Sequence, residues 1–352
     1  GDHRDLHYPL RRQRQMCIRD RFYASNDVPK YQIDLTKKWY EIAAKAWGNY
    51  GPTEVWIVGN TQSEAIKLTD QYCELRIKKG QNISKTDCIN GHSFVDYSKY
   101  GIKDALLIDN TGIVSDEKGL SAHLKNKEIK KVLLTAPVKG GLKNIVYGVN
   151  HDDIQDTDKI IGAASCTTNA IVPVLSAIDN EFKIDNGHVE TVHAYTNDQN
   201  LIDNYHSKNR RGRAAALNMV LTETGAASAV SQVLPNLEGK ISANAIRVPT
   251  PNVSLAILKL YLEKPSELEK FNEFLKQTAF HSLLKDQIDF SISTENVSSD
   301  FVGSKYAAVI DGQSTIIKDR NAVVYVWYDN EFGYCAQSVS YTHLTLPTKR
   351  IV

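Results

Sequence analysis

The stretch Lys159–Ile178, KIIGAASCTTNAIVPVLSAI, decides the fold. Its opening KIIGAAS reads as a short buried strand, and the run behind Cys166 reads as a helix through Ile178. A cysteine therefore stands where a strand ends and a helix begins. Such a place offers unpaired backbone N–H groups and the positive end of a helix dipole, which favour a thiolate. The position is expected to lower the Cys166 pKa. The same N–H groups, with Asn169 nearby, are candidates to hold a developing oxyanion. From the residues alone, Cys166 is either a nucleophile or a buried structural thiol.

Working back toward the N-terminus, DALLIDNTG (104–112) is a buried strand running into a turn, EKGLSAHLKNKEI (117–129) has helical spacing, and KKVLLTAP (130–137) is a second buried strand stopped by Pro137. Strand, helix and strand with short connections form a βαβ unit with a right-handed crossover. NIVYGVN (144–150) is expected to be a further strand. Earlier still, residues 34–79 carry helical periodicity, with EVWIV (54–58) as a short strand or buried turn, and 80–90 is a polar linker.

Beyond the helix, HVETVHAYT (188–196) alternates as a strand and places His193 near its end. His193 is either a satisfied core group or the base a thiol needs. A polar segment, 197–213, carries Lys208, Arg210, Arg211 and Arg213, and TGAASAVSQVLPNL (224–237) reads as a helix opened by Thr224. Strands follow in ANAIRVPT, VSLAILKLYLE, DFSIST, KYAAVID and AVVYVWYD, with one helix over 266–279. The expected class is α/β joined to α+β. A truncated, Rossmann-like dinucleotide-binding parallel sheet precedes a C-terminal catalytic domain with a mixed or antiparallel sheet.

Arg247, among apolar residues and prolines, is either ion-paired or binds an anion. Thr224-Gly225 is either an ordinary cap or a second anion seat. Two anion seats near one thiol point to phosphorylated substrates.

Composition narrows the classes. The chain has 352 residues and a formal net charge of +1, which gives no reason to expect nucleic acid as a partner. No apolar run approaches the roughly 20 residues of a membrane span. The five cysteines, Cys17, Cys73, Cys88, Cys166 and Cys335, form no CxxC pair, so neither a metal site nor a disulfide framework is expected. With no secretory leader in the opening residues, the expected compartment is the cytoplasm.

In this order and spacing, SCTTN (165–169), HAYT (193–196), TETGAA (222–227), IRVPTPNVS (246–254) and WYDNEFGY (327–334) resemble glyceraldehyde-3-phosphate dehydrogenase, from about Phe94 to Ser338. The segment QNLIDNYHSKNRRGRAAALNMV (199–220) resembles the longer bacterial class, whose helical extension residues 34–79 match more weakly. The resemblance implies phosphorylating oxidation of glyceraldehyde 3-phosphate to 1,3-bisphosphoglycerate, a step of glycolysis, through a Cys166 thioester with His193 as base. It implies that Thr196 and Arg247 hold the substrate phosphate, with Arg213 as helper, and that Ser165, Thr167, Thr224 and Gly225 seat the attacking inorganic phosphate. Thr111, Gly112, Thr135, Asp198, Asn330 and Tyr334 are implied to line NAD. A homotetramer is implied, with no nucleic acid and no membrane partner.

The pattern breaks at the front. No two of the 20 glycines are separated by one residue, so the GxGxxG fingerprint of a dinucleotide fold is absent. The expected organisation is a disordered or non-native tail (1–21), a helical extension and linker (22–90), a partial dinucleotide-binding domain (91–165), a catalytic domain (166–338) and a non-native-looking tail (339–352). NADP stays open beside NAD, because the acidic residue that would read the ribose belongs to the absent region. The alternatives are an erythrose-4-phosphate dehydrogenase, a cysteine acyl-transferase or hydrolase using Cys166, His193 and Asn169, and a catalytically incomplete fragment.

Overall fold

The period-two patterns after residue 184 become a seven-stranded sheet. In the computed structural model, which describes residues 23–24, 58–59, 103–112 and 114–345, the chain divides into two units: residues 1–104 with 125–129, and residues 105–124 with 130–352. In the first, β1 (Tyr23–Ala24) pairs in parallel with β2 (Val58–Gly59). The expected helices over 34–79, the linker and the N-terminal tail lie outside the described residues, apart from these two strands.

The second unit opens with β3 (Ala105–Asp109), α1 (Glu117–Leu120), β4 (Ile129–Leu134) and β5 (Ile160–Gly162). The three strands form one sheet in the order β3-β4-β5, with β4 and β5 parallel. Leu133, Ile145, Ile161 and Ala163 form its core. The helix expected over 117–129 is cut to one turn. Asp116 caps it through Gly119 N, the Ser121 hydroxyl donates to Glu117 O, and a short 3-10 turn follows at His123–Lys125. The strand expected over 144–150 reduces to a single bridge between Asn144 and Gly162. Asn150 bends the chain there, because its Oδ1 accepts from Val146 N and its Nδ2 donates to Asn144 O, and Gly148 takes φ +83°.

Next come α2 (Cys166–Phe182), β6 (Ile184–Ala194), β7 (Val220–Thr222), α3 (Ala226–Val233), β8 (Ile241–Val248) and β9 (Ser254–Leu262). They are followed by α4 (Leu268–His281), β10 (Ile288–Ser291), β11 (Ala308–Lys318), β12 (Asn321–Tyr328) and α5 (Phe332–Thr345). The large sheet runs β10-β11-β12-β9-β6-β8-β7 and is mixed: β6 is parallel to β8 but antiparallel to β9. In β9, Ser254, Ala256, Leu258, Leu260 and Leu262 are buried while their neighbours are half-buried or exposed, and β12 repeats the pattern from Ala322 to Tyr328. One face thus packs with α2 and α4 into a core that includes Ile171, Leu175, Ile178, Phe271 and Leu275.

Two elements escaped the sequence reading. Strand β7 (Val220–Thr222) has three residues, too few for an alternating pattern to show. Helix α5 has no strong apolar stripe, but its start is well fixed, because Asp329 Oδ1 accepts from Glu331 N and Phe332 N. Its helical backbone continues to Thr345, into the stretch expected to be an aperiodic tail. Among the described residues, no helix is long and apolar enough to cross a membrane.

Candidate active site

The site begins with a tight turn. Ala164 has φ +53°, a conformation that costs a residue with a Cβ about 1 kcal/mol, and it swings the chain from β5 into α2. Ser165 then caps the helix, its Oγ accepting from Thr168 N at 3.0 Å, so Cys166 is the first helical residue. Asn169 buttresses the same turn. Its Nδ2 donates to Ala163 O at 2.8 Å and Ser165 O at 2.9 Å, which spends both its hydrogens. The expectation that Asn169 is an oxyanion donor is therefore corrected.

Sheet register supplies the partner groups. His193 and Arg247 are directly paired residues of the parallel strands β6 and β8. The Cys166 Sγ lies 3.6 Å from His193 Nε2. Arg247 Nη1 lies 2.8 Å from His193 Nδ1 and donates to Ala194 O at 3.0 Å and Thr196 Oγ1 at 3.1 Å. Behind the pair, Tyr328 OH meets Thr167 Oγ1 at 2.9 Å, and the Tyr328 ring stands edge-on to His193 at 5.9 Å. A cleft of about 380 Å³ opens on this group. Ser165, Cys166, Thr167, His193, Thr224, Gly225 and Arg247 all line it, so the cleft gathers seven of the nine residues expected for catalysis and phosphate binding.

Arg211 also lines the cleft, and the sequence reading assigned it no role. Its Nε donates to Thr222 Oγ1 at 3.0 Å, and its Nη1 pairs closely with Asp198. Arg213, expected as the helper, is instead 63% exposed and bonded to Asp203 at 3.2 Å. The signal was Gly212 between the two arginines. A Cβ there would come within 2.4 Å of Asn204 O, so the chain turns too tightly for any other residue, and Arg211 and Arg213 take opposite surroundings.

Asp198, expected to line the cofactor, has partners within the protein. Thr196 Oγ1 donates to it at 2.5 Å, Arg211 pairs with it, and Arg247 Nη2 stands 3.8 Å away. It belongs to the arginine cluster. Burial would raise its carboxyl pKa, but the Thr196 hydrogen bond and the two guanidinium charges hold it below the usual value.

The electrostatics correct the expected thiol pKa. Burial pushes Cys166 up, against the opposing pull of the Arg247 charge and the Thr167 hydrogen bond. Burial and the Arg247 charge together push His193 down to about 4, against the Ala194 hydrogen bond. The helix start does not outweigh desolvation, so the pair rests as neutral thiol and neutral imidazole near pH 7.

The residues expected to line a dinucleotide separate into two groups. Thr111 and Thr135 gather around Asp109 at the end of β3: Thr111 N and Oγ1 donate to its Oδ1 at 2.8 Å, and Thr135 N donates to Asp109 O at 3.0 Å. Gly112 follows with φ +65°. The second group adjoins the cysteine. Asn330 Oδ1 accepts from Ser254 Oγ, which in turn accepts from Ala194 N, and Tyr334 OH donates to Ala164 O.

Residues 165–330 match the family "Glyceraldehyde 3-phosphate dehydrogenase, C-terminal domain". A glyceraldehyde-3-phosphate dehydrogenase-like protein of Pseudomonas aeruginosa (strain UCBPP-PA14) is 62% identical over 250 residues, 71% of this chain and 54% of that protein. Glyceraldehyde-3-phosphate dehydrogenase 2 of Trichormus variabilis is 42% identical over 231 residues, 65% of this chain and 68% of the relative. The glyceraldehyde-3-phosphate dehydrogenase of Borreliella burgdorferi is 40% identical over 251 residues, 69% of this chain and 73% of the relative. The chain thus spans about half the length of the Pseudomonas relative and more of the other two. On these matches, and with Cys166 and His193 meeting across one cleft, the chain belongs to the glyceraldehyde-3-phosphate dehydrogenase family.

Proposed function

We propose that this chain catalyses phosphorylating oxidation of glyceraldehyde 3-phosphate, with Cys166 as nucleophile and NAD as hydride acceptor. The observation that carries the reading is the 3.6 Å approach of Cys166 Sγ to His193 Nε2 in a cleft flanked by Arg211 and Arg247.

The substrate phosphate is seated by Arg247 and Thr196, which charge-assisted hydrogen bonds favour. Its negative charge offsets the guanidinium beside His193 and so eases formation of an imidazolium. His193 Nε2 takes the thiol proton as sulfur adds to the aldehyde carbon and returns it to the aldehyde oxygen, which leaves a hemithioacetal and a neutral imidazole. His193 then receives the proton of the hemithioacetal hydroxyl as the thioester forms. Inorganic phosphate, held by Arg211, Thr224 and the backbone at the start of α3, attacks the thioester carbonyl and leaves as the acyl phosphate, releasing the Cys166 thiolate.

The residues present fit the nicotinamide end of the cofactor. Asn330 has its Oδ1 fixed by Ser254, which orients the amide nitrogen, and Tyr334 is tethered beside the cysteine turn. A nicotinamide bound there supplies the hydride acceptor. No GxG turn exists in the sequence to receive the pyrophosphate, so no residue is assigned to it.

The reading extends to assembly as a homotetramer. Leu201, Ile202, Tyr205, Leu217 and Met219 are exposed along one segment, an apolar surface of the kind subunit contacts use.

The test combines turnover and trapping. The full chain is incubated with glyceraldehyde 3-phosphate, NAD and inorganic phosphate, while NADH absorbance is followed and Cys166 adducts are sought by mass spectrometry. NADH formation with an acyl adduct on Cys166 is expected. Absence of both rejects the reading.

A further inference from the structure

The contacts around His193 Nδ1 make incompatible demands. Ala194 O lies 2.7 Å from it, which calls for a proton on Nδ1. Arg247 Nη1 lies 2.8 Å from it, which calls for a lone pair there. A neutral imidazole carries a single proton, so only one contact is met at a time. The same Nη1 reaches Ala194 O at 3.0 Å, and it has two hydrogens. With Arg247 in this position, one hydrogen meets Nδ1, which a guanidinium nitrogen can approach this closely only as donor, and the other is shared between Ala194 O and Thr196 Oγ1 at 3.1 Å. The imidazole proton then sits on Nε2, facing Cys166, and that tautomer cannot accept the thiol proton.

The arginine is short of acceptors. Its Nε is buried with no hydrogen-bond partner among the described residues, and its nearest carboxylate contact, Asp198 Oδ1, is 3.8 Å from Nη2. Asp198 is already engaged by Arg211 and Thr196. An incoming phosphate monoester is therefore the better partner for Arg247.

We propose that phosphate bound at Arg247 and Thr196 switches the His193 tautomer and so arms the base. The dianion draws Nη1 away from Nδ1. One proton moves through water from Nε2 to Nδ1, with no net change of charge. Nδ1–H then donates to Ala194 O, and Nε2 turns a lone pair toward Cys166 Sγ. Arg247 is in this way a positioning residue for His193 as well as a ligand of the phosphate. An aldehyde without a phosphate meets a histidine held mainly in the wrong tautomer and adds more slowly, so substrate preference is set at the base while slow acylation by other reagents remains open. The groups facing His193 are Cys166 from α2, Arg247 from β8, Tyr328 from β12 and the Asp198 carboxylate in the loop after β6. Of these, Arg247 alone contacts Nδ1.

This inference rests on Arg247 and Thr196 being the phosphate seat, and the test separates the two. The full chain is labelled with nitrogen-15 in its histidine rings, and the His193 signals are assigned by their loss in His193→Asn. Glycerol 3-phosphate, a phosphate monoester without a carbonyl, is titrated in, with phosphorus-31 linewidth reporting binding. The tautomer ratio is expected to move from Nε2–H toward Nδ1–H by at least about tenfold, saturating together with the phosphorus signal. In Arg247→Gln, His193 is expected to be Nδ1–H with or without ligand. Saturable binding that leaves the wild-type tautomer unchanged overturns the switch and spares the phosphate seat. Absence of saturable binding overturns both. The wild-type titration decides the matter even if the variant does not fold.

Discussion

The two sheets of the second unit make unequal contributions to chemistry. The seven-stranded sheet holds each reactive side chain from at least two directions: His193 is paired in register with Arg247, contacted by Cys166 and backed by Tyr328. The three-stranded sheet offers main-chain turns around one buried carboxylate, Asp109, and a small apolar core. The large sheet and the start of α2 thus build the cleft where Cys166 meets His193, while the small sheet provides the run-up to the cysteine turn.

Replacing the cysteine gives the largest effect. Cys166→Ala is expected to reduce acyl transfer from an activated ester by about 10⁴-fold, because no other described group is positioned as nucleophile. Nitrophenol release from 4-nitrophenyl acetate measures it. A variant that keeps more than about a tenth of the activity would break the assignment of chemistry to the large sheet.

Core truncations compare the sheets directly. Leu258→Ala, in the fully buried row of β9, is expected to cost about 3 kcal/mol in urea unfolding and to lower acylation with it. Leu133→Ala, in β4, removes an equally buried side chain from a smaller core. It is expected to speed hydrogen exchange in β3–β5 while Cys166 acylation stays within about twofold. Equal losses of acylation in both variants would show that the sheets act as one.

Acid sharpens the comparison from the other side. Burial would raise the Asp109 pKa, but hydrogen bonds from His123 and Thr111 outweigh it and hold the carboxyl below its usual value. A folded pKa below the unfolded one means stability that is fully present above about pH 4 and is lost as pH falls through the folded value. Asp109→Asn is expected to remove about 1 kcal/mol at pH 7 and to flatten the acid limb of a thermal-unfolding profile. An unchanged acid limb would show that this contact contributes nothing.

The smallest effect concerns the end of α2. Lys183 is exposed and has φ +58°, a conformation glycine adopts freely. Lys183→Gly is expected to stabilise the protein by about 0.5–1 kcal/mol, read as a higher Tm. A lower Tm would mean that the lysine side chain makes a contribution larger than its backbone strain.

What was legible in the sequence followed from periodicity and local chemistry. Strands β6, β9 and β12 announce themselves because one face of each is buried and the alternation survives. The start of α2 is legible because Ser165 both caps the helix and precedes an unbroken apolar run. The electrostatics were not legible: a helix start argues for a low thiol pKa, and only the folded neighbourhood reveals that desolvation outweighs it at Cys166. Arg211 and Arg213 could not be told apart by type, since a one-residue turn at Gly212 sends them to opposite surroundings. Asn169 looked available as a donor until both its hydrogens were traced to the turn it supports. The strand expected over 144–150 failed because Asn150 competes for the same backbone groups.

The most direct test of the central claim, a thioester site complete within the large-sheet half, is stoichiometric acylation in the absence of NAD. The full chain is treated with 4-nitrophenyl acetate, the acyl group is located by mass spectrometry, and its release is timed with and without inorganic phosphate. The account predicts one acyl group per chain, on Cys166, and release accelerated by phosphate through Arg211 and Thr224. Acylation elsewhere, or release from Cys166 indifferent to phosphate, would contradict it.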